Sequence, residues 1–221
     1  MNLTIVTSFY NGYERFIPRW IDSINNLTIK PTAIVVIASG PHNLKTISTS
    51  IPLKFIQLSK HISMGHARNI AVKNAKTEWV MYLDTDDLIL PNAIENLEKY
   101  INKTDVICGG LKYEGKRGNK SKIFTNASRE NILKGDCCCC SHAVFKKKFW
   151  EQTPYKEDNE FCDGLLWVGF ALLGAEFLAT EELITVYKTH RASHSFLANK
   201  EDLLKARERK AKYGTTGKYK N

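Results

Sequence analysis

Three carboxylates occupy a stretch of four residues in this 221-residue chain: Asp84, Asp86 and Asp87. They follow the apolar run Trp79–Leu83. Two carboxylates held about 4 Å apart repel by about 4 kcal/mol at an effective dielectric of about 20, so the cluster needs a compensating partner. Hard divalent cations such as Mg²⁺ and Mn²⁺ take oxygen ligands and usually also bind substrate phosphates. The cluster therefore predicts a metal site.

The direction of the three side chains follows from the backbone that carries them. In an extended segment Asp84 and Asp86 point to one side and Asp87 to the other. The alternative is a helix N-terminus, where Asp86 or Asp87 would cap the helix that begins near Pro91. Capping needs one acid rather than three, so we favour the metal site.

Apolar runs alternate with segments of helical spacing in the first half of the chain. The predicted strands are Leu3–Tyr10, Thr32–Ser39, Leu53–Leu58 and Glu78–Leu83, and the predicted helices are Phe16–Leu27 and Gly65–Ala75. Continuous apolar strands alternating with helices predict a mostly parallel sheet covered on both faces. Ligands bind beyond the carboxyl ends of such strands, so the segments after the first and fourth strands should line one crevice.

The second half is less regular. It predicts strands at Asp105–Gly110, Cys137–Phe145 and Leu183–Lys188, a buried helix at Cys162–Phe177, and a final helix that Asn199 caps and Gly214 ends. Residues Trp79, Trp150 and Trp167 are expected in the core. The histidines His61, His66, His142 and His194 are expected to be polar surface or loop residues rather than ligands.

The chain carries a formal net charge of +9. This charge favours a polyanionic partner, namely nucleotide phosphates, nucleic acid or an acidic membrane surface. The basic residues concentrate in 112–122 and after residue 199, where the alternative is a solvated face and a solubilising tail. No signal peptide is visible, and the longest apolar run, Gly164–Ala175, is too short to span a bilayer. We expect a cytoplasmic protein that is at most peripheral at a membrane.

The six cysteines include four in a row, Cys137 to Cys140. Neighbouring cysteines cannot pair without strain, so the run is a poor disulfide framework. Cys137 and Cys140 have C-x-x-C spacing with His142 nearby, which leaves a zinc site as an alternative. We favour a half-buried strand in a reducing compartment.

Two segments resemble the family 2 glycosyltransferases of the GT-A fold: "TIVTSFYNGYERFIPRWIDSI" and "SMGHARNIAVKNAKTEWVMYLDTDDLILPNAIENL". In that pattern a strand ends in a Tyr-Asn turn, and a later Gly…Ala-Arg-Asn helix leads to a strand that ends in Asp-x-Asp-Asp. The resemblance covers most of residues 3–100. It implies an α/β, Rossmann-like GT-A fold with a mostly parallel mixed sheet flanked by helices. It also implies a metal-dependent, inverting transfer of a sugar from a nucleotide-sugar, UDP-linked by resemblance.

The resemblance also assigns roles. It places the metal, Mn²⁺ or Mg²⁺, on Asp86 and His190, with Asp84 and Asp87 as further possible ligands. The donor-binding residues are Thr7, Tyr10, Asn11, Ser39, Arg68, Asp84 and Thr85, with Asp84 nearer the ribose or a metal-bound water. For Arg68 a plain surface position is the alternative.

The general base is expected to be Asp163, which precedes Gly174 by the eleven residues typical of the family. The chain departs from the pattern at three places. Cys162 replaces the Glu before the base, so Glu157, Asp158 and Glu160 remain rivals for that role. Ala38 and Ser39 replace the acid that contacts the nucleotide base, and Lys188 takes the place of an Arg two residues before His190.

These assignments predict a GT-A domain over residues 1–197, with a nucleotide-sugar-binding half at about 1–110 and an acceptor-binding half at about 111–197, followed by a basic helix or tail at 198–221. We rank a glycan or lipid-linked glycan acceptor ahead of hydroxylated bases of DNA. Two other classes stay open. A nucleotidyltransferase would carry a glycine-rich phosphate loop, which "TSFYNGYERF" lacks, and a non-catalytic nucleic-acid-binding protein would leave the acids unexplained.

Overall fold

The computed structural model describes residues 1–115, 118–136, 138–157, 162–190 and 200–218, apart from the side chain of Lys200. The strands are β1 Leu3–Tyr10, β2 Ala33–Ser39, β3 Leu53–Gln57, β4 Trp79–Tyr82, β5 Leu88–Ile89, β6 Val106–Gly115, β7 Ser121–Lys122, β8 Val144–Lys146 and β9 Phe177–Thr189. The helices are α1 Ile17–Asn25, α2 Met64–Asn74, α3 Ala93–Glu98, α4 Arg129–Leu133, α5 Lys147–Gln152, α6 Cys162–Leu172 and α7 Lys200–Thr216, and a 3₁₀ turn at Glu14–Phe16 precedes α1.

The described strands form one mixed sheet in the order β3-β2-β1-β4-β8-β6-β9-β5, with β7 paired to β6. The first four strands along the chain are mutually parallel, and β6 and β9 are parallel to each other. The short β8 joins these two groups because it runs antiparallel to both β4 and β6. This confirms the predicted α/β fold with a mostly parallel mixed sheet.

Helices cover both faces of the sheet because alternate residues of its strands face opposite cores. On one face Val6 of β1 packs with α2 and α6. On the other face Leu3 and Ile5 pack with α1 and α3, where Trp20 of α1 is fully buried. The two cores fix the positions at which β1 and β4 end, and those ends carry the polar segments of interest.

The predicted strand over the cysteine run is wrong. Residues Cys138 to Cys140 form a loop, and only Val144–Lys146 pairs with the sheet. The loop is nevertheless buried, and the backbone N–H of Cys140 donates to Sγ of Cys108 at 3.2 Å. Three residues are enough for β8 because Val144 and Phe145 each pair with both neighbouring strands.

The predicted final helix is present as α7, which packs against α4 and α6. Tyr213 is buried in the core, and Gly214 lies directly against the backbone of Leu133. The helix runs two residues past the predicted end, to Thr216, and Gly217 follows with a φ of +64°. The separation of this segment from the preceding domain stays a prediction, as does the boundary at residue 110, which falls inside β6.

Candidate active site

The acid cluster sits on a tight turn beyond the carboxyl end of β4. The N–H of Asp87 donates to the carbonyl of Asp84 at 3.1 Å. This contact turns the chain, so the first and last side chains of the turn converge on the same side. The expected alternation is therefore wrong: Asp84 and Asp87 face one partner, and Asp86 faces another.

The partner of Asp84 and Asp87 is His142, which is fully buried. Its Nε2 lies 2.9 Å from Oδ2 of Asp87 and 3.6 Å from Oδ2 of Asp84, as an ion pair without aligned hydrogen bonds. Its Nδ1 lies 3.2 Å from Oγ1 of Thr185 on β9. His142 lies in a turn, as one of the two expected positions requires, but the expectation of a surface position is wrong because the side chain is buried. The available signal was its position two residues before the apolar start of β8.

Burial and neighbouring charges shift the pKa values of His142, Asp87 and Asp84. Burial lowers the pKa of His142, but Asp87 and Asp84 outweigh that effect and raise the pKa to about 10. Burial raises the pKa of Asp87 to about 7, against the opposing effect of His142. Asp87 also accepts the N–H of Lys188 at 2.7 Å. Burial disfavours ionised Asp84, yet Arg68 and His142 lower its pKa to about 2.

The partner of Asp86 is His190, as the resemblance implied for the metal site. Nε2 of His190 lies 2.8 Å from Oδ2 of Asp86, although the two residues are 104 positions apart. Burial and the charge of Asp84 raise the pKa of Asp86. Both side chains line a cavity of about 240 Å³ together with Phe16, Thr85 and Lys188.

This pair fits a divalent cation. A carboxylate oxygen and an imidazole nitrogen converge on one wall, and the cavity leaves room for the waters or phosphate oxygens that Mg²⁺ and Mn²⁺ keep as further ligands. A second group of candidate ligand atoms, from Asp84, Asp87 and His142, lies within 4.8 Å of one another.

Arg68 connects the acid cluster to α6. It is 4% exposed, so the alternative of a surface position is excluded. Its Nη2 donates to Asp84 Oδ1 at 3.2 Å, and its Nη1 donates to Cys162 Sγ at 3.3 Å. The guanidinium also lies 4.4 Å from the ring centroid of Tyr82. Direct contact of Arg68 with donor phosphates stays a prediction.

Arg68 joins Asp84 to Cys162, the first residue of α6, and Asp163 is the next residue along the chain. Asp163 is half-buried in the first turn of α6. Of its rivals, Glu157 accepts a hydrogen bond from Asn69 at 3.0 Å and has a side chain that is 51% exposed. Asp158 and Glu160 lie outside the described residues.

Three of the residues predicted to bind the donor lie at the carboxyl ends of β1 and β2. Tyr10 and Ser39 are direct register partners, and Asn11 follows in the exposed turn. The Ser39 hydroxyl accepts the N–H of Ile62 at 3.0 Å. Thr7 is different, because it is fully buried within β1 and its hydroxyl has no hydrogen-bond partner among the described residues.

Aromatic rings link this edge to the Asp86–His190 pair. The ring centroids of Tyr10 and Tyr13 are 4.6 Å apart, and those of Tyr13 and His190 are 6.1 Å apart. The exposed Tyr10 ring also lies 5.5 Å from the ring of His61. The structure thus places an exposed aromatic surface and a carboxylate–imidazole pair along one continuous edge of the sheet.

The helices in the described ranges do not include one that combines the length and the apolar character needed to cross a bilayer.

The sequence of the chain is similar to those of known glycosyltransferases. Residues 4–154 match the model of glycosyl transferase family 2. An uncharacterised glycosyltransferase of Methanocaldococcus jannaschii is 28% identical over 84% of this chain and 70% of its own length. The poly(ribitol-phosphate) beta-N-acetylglucosaminyltransferase TarP of Staphylococcus aureus is 34% identical over 60% of this chain, which spans only 42% of TarP.

Solved structures share the fold at lower identity. S. aureus TarS 1–349, in complex with UDP-GlcNAc, superposes with a TM-score of 0.70 and 19% identity, covering 93% of this chain and 64% of that one. A Pyrobaculum calidifontis mannosyltransferase, in complex with GDP-Man and Mn²⁺, gives a TM-score of 0.61 and 17% identity over 87% of this chain and 58% of that one.

Proposed function

The chain belongs to glycosyl transferase family 2, and we propose that it moves a sugar from a UDP-sugar to a hydroxyl of a glycan acceptor with inversion at the anomeric carbon. The observation that carries this proposal is the Asp86–His190 pair, which lies on the wall of a cavity beside the exposed aromatic edge. Membership of the family makes the chain a glycosyltransferase, so a nucleotidyltransferase or a non-catalytic nucleic-acid-binding protein is no longer needed to explain the acids.

We propose that Asp86 and His190 hold Mn²⁺ or Mg²⁺. A bound ion there would neutralise charge on the diphosphate of the donor. Asp86 suits this role because it is the member of the acid cluster that lines the cavity and has no Lys or Arg partner in the described structure. Its raised pKa reflects a carboxylate that a nearby cation would stabilise in the ionised form.

The donor would lie along the carboxyl ends of β1 and β2 and the turn Asp84–Asp87, called the acid turn below. Tyr10 offers an exposed ring on which a nucleotide base can stack, while Asn11 and Ser39 offer polar atoms at the same edge. Buried Thr85 lines the cavity next to Asp86. The TarS complex supports UDP as the nucleotide, whereas the GDP-Man complex shows that this fold also serves another base.

Asp163 is the residue we propose as general base. It would take the proton of the acceptor hydroxyl as that oxygen attacks the anomeric carbon from the side opposite the leaving diphosphate, which inverts the configuration. Arg68 supports this placement, because it ties the adjacent Cys162 to Asp84. The N-terminus of α6 is thereby held next to the acid turn.

A thermal-shift panel of nucleotide-sugars, with and without Mn²⁺, tests the proposal. We expect UDP-sugars to raise the melting temperature of the wild-type protein only when Mn²⁺ is present, because the diphosphate and the ion bind together. The matched control is Asp86→Asn, which should lose the Mn²⁺-dependent shift while melting at the wild-type temperature without ligand. Stabilisation by GDP-sugars alone would contradict the UDP assignment, and stabilisation independent of Mn²⁺ would contradict the metal site.

A further inference from the structure

The side-chain amide of Asn69 on α2 is fully hydrogen-bonded to groups far along the chain. Its Oδ1 accepts the Nε1–H of Trp150 at 3.0 Å and the backbone N–H of Tyr155 at 2.9 Å. Its Nδ2 donates to the carbonyl of Tyr155 at 3.0 Å and to Oε1 of Glu157 at 3.0 Å. Two of these partners only donate and two only accept, so one orientation of the amide satisfies all four. Asn69 therefore fixes the segment 155–157 against α2.

Gly65, one turn earlier on α2, lets the same segment come close to the helix. A Cβ at this position would meet the carbonyl of Lys156 and the Cα of Glu157. Gly65 lies four residues before Asn69, so the two residues share one face of α2. Together they form a seat for the segment 155–157.

The seated segment leads to the residue proposed as general base. Cys162 contacts Arg68, which is the neighbour of Asn69 on α2. The chain is thus attached to α2 before and after residues 158–161, which lie outside the described part of the chain. Asp163 follows the second attachment directly. Asn69 does not line the cavity, so its influence on the site would pass through this segment.

We propose that Asn69 is a positioning residue for sugar transfer, which seats the segment 155–157 on α2 and thereby sets where Asp163 meets the acceptor hydroxyl. A general base must stand within hydrogen-bond reach of the proton that it takes. A displacement of about 1 Å, even from a change far from the chemistry, can cost about 100-fold in rate. The inference rests on the proposed function for the role of Asp163, whereas the attachment of the segment to α2 does not depend on that function.

The test is Asn69→Asp, which keeps the shape of the side chain but turns Nδ2 into an oxygen. That oxygen would repel the carbonyl of Tyr155 and the carboxylate of Glu157. With saturating UDP-sugar and Mn²⁺ and with water as acceptor, we expect kcat for UDP release to fall about 10–100-fold. The Kd for UDP, measured by calorimetry, should stay unchanged.

Two further variants separate positioning from a structural role. The matched control is Asn74→Asp on the same helix, because the Asn74 amide donates only to the carbonyl of Ile70, at 2.8 Å. It should keep the wild-type kcat per folded molecule. Glu157→Gln in the Asn69→Asp background should restore part of the activity, because the glutamine amide can donate to the new carboxylate. In the wild-type background the same change keeps an oxygen that accepts from Asn69.

Hydrogen exchange tests the attachment without using activity. Backbone amides of the peptide 154–165 should exchange about 10-fold faster in Asn69→Asp and at the wild-type rate in Asn74→Asp. Unchanged exchange in Asn69→Asp, or a wild-type kcat in that variant, would overturn the inference. If the wild-type protein releases no UDP, the proposed function fails, and faster exchange in Asn69→Asp still supports the attachment.

Gly65→Ala tests the same seat if Asn69→Asp folds poorly. Alanine suits a helix, so the variant should fold, but its Cβ would push the segment away from α2. We expect a lower kcat with an unchanged Kd for UDP, and faster exchange in the peptide 154–165. Wild-type turnover and exchange in Gly65→Ala would contradict the inference.

Discussion

At the scale of single residues, one backbone hydrogen bond from Asp87 to Asp84 turns the chain, so Asp84 and Asp87 face His142 while Asp86 faces His190. Residue types predict the cluster, and the family resemblance predicts that Asp86 and His190 share one site. Neither predicts the directions of the side chains, because a tight turn replaces the expected extended segment. His142 was missed because it lies far along the chain and only the pairing of β8 with β4 brings it to the acids.

The role of Asp163 gives a prediction at this scale. Asp163→Asn should reduce sugar transfer by roughly 10²–10⁴-fold, the usual range for loss of a general base, while donor affinity stays unchanged. Steady-state transfer and donor titration measure the two quantities. Glu157→Gln is the control, because that side chain is half exposed, and it should transfer at nearly the wild-type rate.

Two results would count against this role. If Asp163 is only a helix cap, Asp163→Asn loses stability but keeps nearly normal turnover per folded molecule. If Glu157→Gln is the inactive variant, the base lies before α6, and the family spacing between Asp163 and Gly174 does not apply to this chain.

At the scale of elements, β1, β2 and β4 were predictable because each is a continuous apolar run that is almost entirely buried, whereas β3 is a half-exposed strand at the end of the sheet. The observed β1 matches its predicted bounds. The strands β2 and β3 are each one residue shorter than predicted, and β4 is two residues shorter. The second half was less predictable because its short strands depend on partners rather than on pattern. Exposed β7, Ser121–Lys122, exists only through pairing with β6, and Cys138 to Cys140 are buried in a loop.

Arg68 supplies the prediction at the scale of elements, because it joins α2, the acid turn and α6. Arg68→Met should destabilise the protein by roughly 3 kcal/mol, since it removes one partner of a buried ion pair. This expected loss of stability is at the low end for a broken buried ion pair, because the Asp84 side chain is 29% exposed and keeps its contact with His142. The free energy of unfolding in urea measures it.

The control for this change is Arg209→Met on the exposed face of α7, which should stay within about 0.5 kcal/mol of the wild-type protein. If Arg68→Met is as stable as Arg209→Met, Arg68 does not hold α6 against the turn, and the placement of Asp163 loses its support.

At the scale of the whole molecule, the basic C-terminal segment is part of the packed structure. The sequence suggested either a solubilising tail or a binding element, but α7 covers α4 and α6 through Tyr213 and Gly214. Most of its basic side chains remain at the surface. Composition could predict their exposure but not the packing, because the contact depends on one buried aromatic ring, Tyr213, and on the close approach of Gly214 to Leu133.

This packing predicts that Gly214→Ala is destabilising. A Cβ at residue 214 would meet the backbone of Leu133, so the helix must move away from α4. We expect a loss of about 1–3 kcal/mol, the usual cost of overpacking, measured by chemical unfolding. The exposed Lys212→Ala on the same helix should change little. Wild-type stability in Gly214→Ala would mean that α7 does not pack on α4 as described.

The central claim is that Asp86 and His190 make this chain a metal-dependent glycosyltransferase. The most direct measurement is the release of UDP from a UDP-sugar, with water as acceptor, by wild-type protein and Asp86→Ala in the presence of Mn²⁺ or of a chelator. We predict release that requires Mn²⁺ in the wild-type protein and falls at least about 10-fold in Asp86→Ala at equal stability, because even indirect ligand partners cost about 10–100-fold in metal affinity. Release at the wild-type rate by Asp86→Ala, or release that the chelator leaves unchanged, would contradict the claim.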